Sequence, residues 1–177
     1  MGSLGLSNLG PRRLRQLHQQ LSRRGVAVAS LQVQLSLLAP EAMAPGGVAE
    51  VCRELGITLI AYSPLALGLL ARAPAEPLPP VSAARRLLFA RLQPRIGPLQ
   101  DRLVAIARSR DVPTAAVALN WCRSHGALPI VGLRNVEQVE AAAAAAQWSL
   151  DEAERQELDA AALALDVRMP ANPFCSA

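Results

Sequence analysis

The stretch GITLIAYSPLALGLLAR, residues 56–72, contains the single tyrosine of this 177-residue chain. An apolar run over residues 57–61 leads directly into Tyr62 and Ser63. A buried strand that ends there would bring an aromatic ring and a hydroxyl to a site, where a phenol can stack, hydrogen-bond or transfer a proton. The alternative is that Tyr62 is an aromatic residue at the edge of the core. We therefore treat Tyr62 as a candidate and look for partners that would make it catalytic.

Few other side chains are spaced for acid, base or metal chemistry. His18 and His125 fall within or at the end of predicted helices, where we expect solvated residues rather than catalytic ones. Three cysteines, Cys52, Cys122 and Cys175, lie far apart without metal-ligand spacing, and an odd number argues against a disulfide framework. We predict free thiols, with Cys52 and Cys122 as small core residues, and no metal site.

Composition excludes several classes of function. The chain is 51% apolar and 18% charged, with no apolar run near the ~20 residues that span a bilayer, so we predict a globular protein that does not bind a membrane. The net charge is +4, but all eighteen basic residues are arginine and aromatic residues make up only 3%, which does not favour nucleic-acid binding. Residues 1–6 show neither a secretory signal nor a transit peptide.

Helix and strand patterns alternate along the first part of the chain. PRRLRQLHQQLSRRG, residues 11–25, has leucines on one face, a proline at its start and Gly25 at its end, which predicts an amphipathic helix. VAVASLQVQLSLL, residues 26–38, predicts a strand. GGVAEVCRELG repeats the helical pattern and ends at Gly56, and the strand that carries Tyr62 follows.

Proline interrupts the pattern over residues 71–98, where we predict a long loop. Helices are predicted again over residues 98–110 and 113–124, followed by the short strand ALPIVGL at residues 127–133. The spacing of Asn135 and Gln138 predicts a capped, alanine-rich helix through Ala146, and Ser149 with Glu152 predicts the cap of a last helix. Alternation of helices with unbroken apolar strands indicates a parallel sheet covered by helices, which is an α/β fold. Three full strands are evident, and SLGLSN near the amino terminus is a candidate fourth.

Six stretches in order resemble the carboxy-terminal half of an aldo/keto reductase, of the type found in plant and algal plastids. They are GLSN, QVQLSLL, ELGITLIAYSPLALGLL, VPTAAVALNW, LPIVGLRNVEQVE and WSLDEAE. The resemblance implies a partial (β/α)₈ barrel: residues 1–177 would supply strands five to eight with their helices, and residues 71–98 the loop that covers the cofactor. Arg72, Arg85 or Arg86 would then be candidates for a phosphate contact, with none of them assigned.

The resemblance also implies NADP(H) as cofactor and a role for each matching residue. Tyr62 would stack on the nicotinamide ring, and Ser7, Asn8 and Gln34 would hydrogen-bond its carboxamide. The residues of the loop around the pyrophosphate would be Ser63, Pro64, Leu65, Ala66 and Leu67. Those of the phosphate and adenosine site after strand eight would be Gly132, Arg134 and Gln138. An arginine before a helix start suits this role, because a phosphate there meets free backbone N–H groups, the positive helix end and a guanidinium.

Three departures from the family pattern bear on function. The family's catalytic tyrosine, aspartate, lysine and histidine lie on strands one to four, and this sequence contains no lysine. No catalytic residue is therefore assigned, and we expect the chain alone to be inactive. Ala141 and Ala142 stand where a Glu-Asn pair usually holds the adenine, and Leu67 stands where a polar residue is common.

Three interpretations remain open. In the first, the chain is part of, or an incomplete gene model for, an NADP-dependent reductase of small carbonyl compounds. In the second, it is a non-catalytic nucleotide-binding or regulatory protein. In the third, it is a structural half-barrel whose open sheet edges a partner half-barrel or a second copy closes. The resemblance implies a plastid location, with the cytoplasm as the alternative.

Overall fold

Four parallel strands form one sheet in the computed structural model of this chain, which describes residues 2–74, 76–77 and 80–171. The strands are β1 (Ser3–Ser7), β2 (Ala27–Gln34), β3 (Thr58–Tyr62) and β4 (Ala127–Pro129), and they lie in the order β1-β2-β3-β4. One row of register partners, Ser7, Gln32, Ile60 and Leu128, crosses all four strands. The predicted parallel α/β sheet is confirmed, and the amino-terminal candidate is its fourth strand.

In the part of the chain that the structure describes, seven α-helices connect and cover these strands. They are α1 (Pro11–Ser22), α2 (Val48–Leu55), α3 (Ala83–Leu92), α4 (Gly97–Ser109), α5 (Thr114–Ser124), α6 (Val136–Ala144) and α7 (Glu152–Leu163). Helix α1 starts at a proline, whose fixed φ suits the first helical position. Helix α2 ends at Gly56, whose φ of 67° is a left-handed conformation that glycine adopts without steric cost. The sequence signals that predicted these helices therefore act at the expected positions.

The proline-rich segment is not a continuous loop. Helix α3 occupies Ala83–Leu92 within the predicted loop at residues 71–98. Its N-cap is Ser82, whose side chain accepts a hydrogen bond from the Arg85 N–H, and Phe89 and Leu92 are buried. The sequence has no proline between Pro80 and Pro94, and ten of these thirteen residues form the helix.

The last helix begins at a different cap from the one predicted. Asp151, not Ser149, is the N-cap of α7, and it forms a reciprocal capping box with Glu154. Both pairs have the same spacing of three residues, so spacing alone did not distinguish them. A carboxylate at the cap also binds Arg110 at the end of α4, at 3.2 Å, and this favours the Asp151 start.

One face of the sheet packs against the helices and forms the main core. Leu31 and Val33 of β2 and Leu59 and Ala61 of β3 are all at most 5% exposed. The residues that alternate with them, Gln32 and Gln34 of β2 and Ile60 and Tyr62 of β3, are half-buried on the opposite face. Cys52 and Cys122 lie in this core as free thiols, as predicted, while Cys175 lies outside the described residues.

The sheet has two open edges among the described residues. β1 pairs with β2 alone, and β4 pairs with β3 alone. β4 is also shorter than the predicted strand at residues 127–133, and two of the residues in that range, Leu128 and Ile130, are 56% and 44% exposed. Of the helices that the structure describes, none is both long and apolar enough to cross a bilayer.

Candidate functional site

Polar side chains from three neighbouring strands meet at one end of the sheet. Asn8 follows the last residue of β1, Gln34 is the last residue of β2, and Tyr62 is the last residue of β3. Parallel strands bring their carboxyl ends to the same edge, and ligands of α/β sheets bind at that edge. The sheet topology therefore assembles residues that are 26 to 54 positions apart in the sequence.

A hydrogen bond joins two of these residues directly. The Tyr62 hydroxyl donates to Asn8 Oδ1 at 3.0 Å. The Asn8 backbone is held as well, because its N–H donates to the Gln32 carbonyl at 2.9 Å and its φ of 55° turns the chain out of the strand. Asparagine tolerates this left-handed conformation better than most residues. The tyrosine ring is therefore fixed at its base by β3 and at its hydroxyl by the end of β1.

Gln34 lies beside Tyr62 in the sheet. The two residues are register partners, and the Leu35 N–H donates to the Tyr62 carbonyl at 3.3 Å. Both side chains are half-buried, whereas Ser7, which lies two register rows before them, is exposed. The structure thus brings Asn8, Gln34 and Tyr62 together at one edge, with Ser7 next to Asn8.

The segment after Tyr62 turns sharply and carries unusual backbone geometry. Ser63, Ala66 and Leu67 have φ values of 53°, 47° and 59°, in the left-handed region that non-glycine residues rarely adopt. Two backbone hydrogen bonds close successive turns, from Ala66 N–H to the Ser63 carbonyl and from Gly68 N–H to the Leu65 carbonyl. Pro64 and Ala66 are buried, Ser63 and Leu65 are half-buried, and Leu67 is 40% exposed.

The segment after β4 carries the last group of predicted residues, Gly132, Arg134 and Gln138, all of which are exposed. Asn135 is the N-cap of α6, and its side chain accepts a hydrogen bond from the Gln138 N–H at 2.9 Å. The Gln138 Oε1 in turn accepts from the Arg134 N–H at 2.8 Å. Gln138 therefore ties the residue before the cap to the first turn of the helix, which is a geometry that the predicted capping box only partly anticipated.

A cluster of hydrogen bonds that was not predicted from the sequence connects the end of α6 to α5. The Arg123 Nη1 donates to the carbonyls of Ala145 and Trp148, at 2.7 and 3.0 Å, and to Asn120 Oδ1 at 2.7 Å. Asn120 is 1% exposed, and its Nδ2 also donates to the Ala145 carbonyl at 2.8 Å. These bonds satisfy carbonyls at the end of α6. A polar residue between the apolar positions of VALNW was the available signal.

A second missed residue is Gln100 of α4. It is 1% exposed, and its Nε2 donates to the Leu69 carbonyl at 2.9 Å, in the 3-10 helix Ala66–Ala71 that follows Tyr62. Gln100 shares a helix face with Leu103 and Ala107, which are both buried. A glutamine within an otherwise apolar face was the sequence signal for it.

His125 is not the solvated helix residue that was predicted. Its side chain is 13% exposed, its Nε2 lies 2.8 Å from Asp159 Oδ1, and its ring contacts Trp121 edge to face. Asp159 also accepts from Trp121 Nε1 at 2.7 Å and from Arg155 Nη1 at 2.9 Å. Tertiary packing of α7 onto the end of α5 buries this histidine. A crevice of about 720 Å³ adjoins it, and the crevice opens near the amino ends of β3 and β4, away from Tyr62.

Two further sets of side chains among the described residues, the thiols and the candidate metal ligands, bear on reactivity. Burial raises the pKa of the Cys52 thiol to about 11 and that of the Cys122 thiol to about 12, so neither is a reactive thiolate at neutral pH. The described residues hold no group of three or more His, Cys, Asp or Glu side chains that would bind a metal ion. What the edge does offer is an aromatic ring, two amide side chains and a capped helix N-terminus preceded by an arginine.

Comparison with known proteins identifies one family. The sequence model of the aldo/keto reductase family matches residues 1–163. A chloroplastic pyridoxal reductase of Arabidopsis thaliana is 40% identical over 163 residues, which are 90% of this chain and 43% of that protein. An uncharacterized oxidoreductase of Mycobacterium tuberculosis, Rv2298, is 38% identical over 168 residues, which are 93% of this chain and 50% of that protein. This chain thus spans half or less of the length of these relatives.

A solved structure agrees on the fold. A thermostable aldo-keto reductase, Tm1743, crystallised with the inhibitor epalrestat, superposes with a TM-score of 0.65 at 22% identity. The match covers 89% of this chain and 47% of the other. At this identity the likeness concerns the fold alone, and it confirms that the four-stranded sheet with its helices is similar to part of a (β/α)₈ barrel.

Proposed function

Because this chain belongs to the aldo/keto reductase family, we propose that it is the NADP(H)-binding half of an oxidoreductase that reduces carbonyl compounds to alcohols. Members of the family generally bind NAD(P)H and act on small carbonyl compounds. The proposal assigns residues 1–177 to one unit that binds the cofactor at the carboxyl edge of its sheet. In a nicotinamide enzyme the cofactor supplies the hydride, and the protein supplies binding and orientation.

The observation that carries this proposal is the fixed position of Tyr62. Its ring is held between the sheet and Asn8, with Gln34 in the neighbouring register position. A ring held in this way can stack on a nicotinamide and leave only the opposite face of the cofactor for hydride transfer. Amide side chains beside it match the donors and acceptors of a carboxamide, which is the role we propose for Asn8 and Gln34, with Ser7 beside them.

The phosphates would bind at the two segments that follow β3 and β4. We propose that Ser63 to Leu67 wrap the pyrophosphate, and that Gly132, Arg134 and Gln138 bind the phosphate of the adenosine end. The capped start of α6 supports this, because its free N–H groups and the positive end of its dipole favour an anion. Ala141 and Ala142 offer no polar contact to the adenine, so we expect affinity to rest on Arg134 and Tyr62 rather than on the base.

Residues 71–98, which we propose to cover the cofactor, contain helix α3 and side-chain hydrogen bonds and are therefore not a loop throughout. Arg72 Nη1 donates to Glu76 Oε1 at 3.3 Å and to the Pro77 carbonyl at 2.8 Å, while Arg85 and Arg86 lie on α3. Arg72 would have to exchange these partners to reach a phosphate.

Catalysis is not proposed for this chain alone. The family resemblance assigns proton transfer to a set that includes a lysine, and this sequence has none. We propose that the acid is supplied by a different polypeptide segment and that the isolated chain does not turn over. The Arabidopsis relative is named a chloroplastic pyridoxal reductase. That name supports an aldehyde as the first substrate to test on a completed barrel and a plastid location, with the cytoplasm as the alternative.

The test is equilibrium binding of NADPH and NADH to the purified chain and to the Arg134→Glu variant. We expect NADPH to bind at millimolar concentration or below. Charge reversal should weaken NADPH binding about tenfold or more, because it removes a charge-assisted contact to phosphate, and should weaken NADH binding less. No NADPH binding at millimolar concentration would contradict the proposed function. An equal loss for both cofactors would contradict the role of Arg134.

The open edges favour a second role, as a half-barrel that a partner completes. Leu128 and Ile130 of the β4 edge are 56% and 44% exposed, and Val136 and Val139 of α6 are 71% and 49% exposed. Unpaired strand edges with apolar neighbours are templates for association. We propose that a second half-barrel, either a second copy or a segment that carries the catalytic residues, covers this edge.

Solution mass tests this second role. We expect the purified chain to show a mass of twice 18.7 kDa at tens of micromolar, and Leu128→Arg to shift it to the monomer because a charge at the edge strand opposes pairing. Light scattering after size exclusion measures both. A strictly monomeric wild-type chain would exclude self-association and leave only a different partner.

A further inference from the structure

The loop after Tyr62 holds a conformation that its own residues do not favour. Ser63, Ala66 and Leu67 all have positive φ, and Gly68 follows with a φ of 102°. Positive φ is a steric cost for every residue with a Cβ, and it persists only where the surrounding structure imposes it. Two hydrogen bonds within the turn hold part of this conformation, and contacts from outside the loop add to them.

Burial accounts for part of this restraint. Leu69 and Leu70, at the end of the loop, are 1% and 0% exposed, and the Leu70 N–H donates to the Leu65 carbonyl at 3.2 Å. Hydrophobic packing holds these two side chains in the core, but it is non-directional and does not fix the orientation of a peptide plane. A hydrogen bond to that plane from a rigid element does.

Gln100 supplies such a bond. It lies in the first turn of the thirteen-residue helix α4, and its Nε2 donates to the Leu69 carbonyl across 31 positions of sequence at 2.9 Å. Both partners are at most 1% exposed, so water does not compete for the bond. The geometry ties the plane between Leu69 and Leu70 to α4.

The other polar atom of the Gln100 amide, its oxygen, shows that stability alone does not explain this residue. The buried Gln100 Oε1 accepts no hydrogen bond from the residues that the structure describes. A buried acceptor without a donor lowers stability, and an apolar side chain of similar volume would avoid that cost. Gln100 therefore combines one ordering contact with a group that weakens the core.

We infer that Gln100 is a positioning residue: its amide fixes the loop of residues 65–71 and thereby the left-handed turn at Ser63 to Leu67. This inference rests on the proposed function for its consequence, since that turn is where we place the pyrophosphate. A loop fixed before binding does not lose conformational freedom on binding, so cofactor affinity is higher than for a mobile loop.

The first test is hydrogen exchange of the loop in Gln100→Met, in the full chain without cofactor. Methionine keeps the length and most of the volume of glutamine but cannot donate to the Leu69 carbonyl. We expect exchange of amides 66–70 to accelerate about twofold to tenfold, which corresponds to the loss of one hydrogen bond. The thermal midpoint should stay the same or rise, because the orphaned oxygen is also removed.

Leu99→Met is the matched control, since Leu99 is the neighbouring residue of α4 and is 0% exposed. It should leave the exchange of amides 66–70 unchanged. If Gln100→Met does not fold, Gln100→Asn replaces it, because its shorter amide does not reach Leu69, and the same local acceleration is expected. Unchanged exchange in the loop, or an acceleration that Leu99→Met shares, would overturn the inference.

NADPH affinity of the same variants separates this inference from the proposed function. If the wild-type chain binds NADPH, Gln100→Met should bind it at least twofold more weakly at an unchanged or raised thermal midpoint, and equal affinity would overturn the pre-ordering role. If the wild-type chain does not bind NADPH, the proposed function fails. Even then, the exchange result alone supports or overturns the part of Gln100 in ordering the loop.

Discussion

The binding role that we propose for Tyr62 depends on its neighbours more than on its own chemistry. Its hydroxyl donates to a neutral amide oxygen, Asn8 Oδ1, at 3.0 Å. The sequence contains no lysine that could tune a catalytic phenol. The bond to Asn8 orients the ring. These contacts hold the Tyr62 ring in one place.

Burial makes the thiols of Cys52 and Cys122 unreactive, because it disfavours their thiolate forms. The Cys52 thiol, with its pKa raised from 9.0 to about 11 by desolvation, ionises about a hundredfold less at neutral pH than an exposed thiol. Its effect on stability follows from the sign of that shift. The neutral thiol is favoured in the folded state, so this contribution is present below pH 9 and declines as the pH rises toward 11.

Among the secondary-structure elements, α7 begins where the Asp151 carboxylate caps it. Asp151→Ala removes the capping box with Glu154 and the contact to Arg110, and should lower the free energy of unfolding by about 1 kcal/mol. Ser149→Ala, two residues earlier, should change it by less than about 0.5 kcal/mol. Urea unfolding of the two variants measures the difference. An equal loss in both would mean that Ser149 contributes to the cap.

The helices also differ in how well they could be predicted from the sequence. Helices α1, α2, α4, α5 and α6 were predictable because their apolar periodicity and their terminal proline, glycine or asparagine act locally. Helix α3 was missed because the prolines on both sides of it dominated the pattern. The burial of His125 and the contact from Gln100 to Leu69 depend on which helices meet in space, and a single sequence does not encode that locally.

For the whole molecule, the alternation of elements was enough to predict a parallel sheet, and the family resemblance extended this to a partial barrel. The structure confirms four adjacent strands in sequence order and a likeness to part of an aldo-keto reductase. The cofactor site remains a proposal, because it depends on side chains from β1, β2, β3 and the segment after β4.

The central claim is that NADP(H) binds at the carboxyl edge of this sheet. Hydrogen exchange of the full chain with and without saturating NADPH tests it most directly, because it locates the ligand as well as detecting it. We predict slower exchange at the amides of residues 63, 65–68 and 133–138. Exchange that is unchanged throughout the chain, or slowed only around the crevice near Arg53 and Ser124 at the opposite end of the strands, would contradict it.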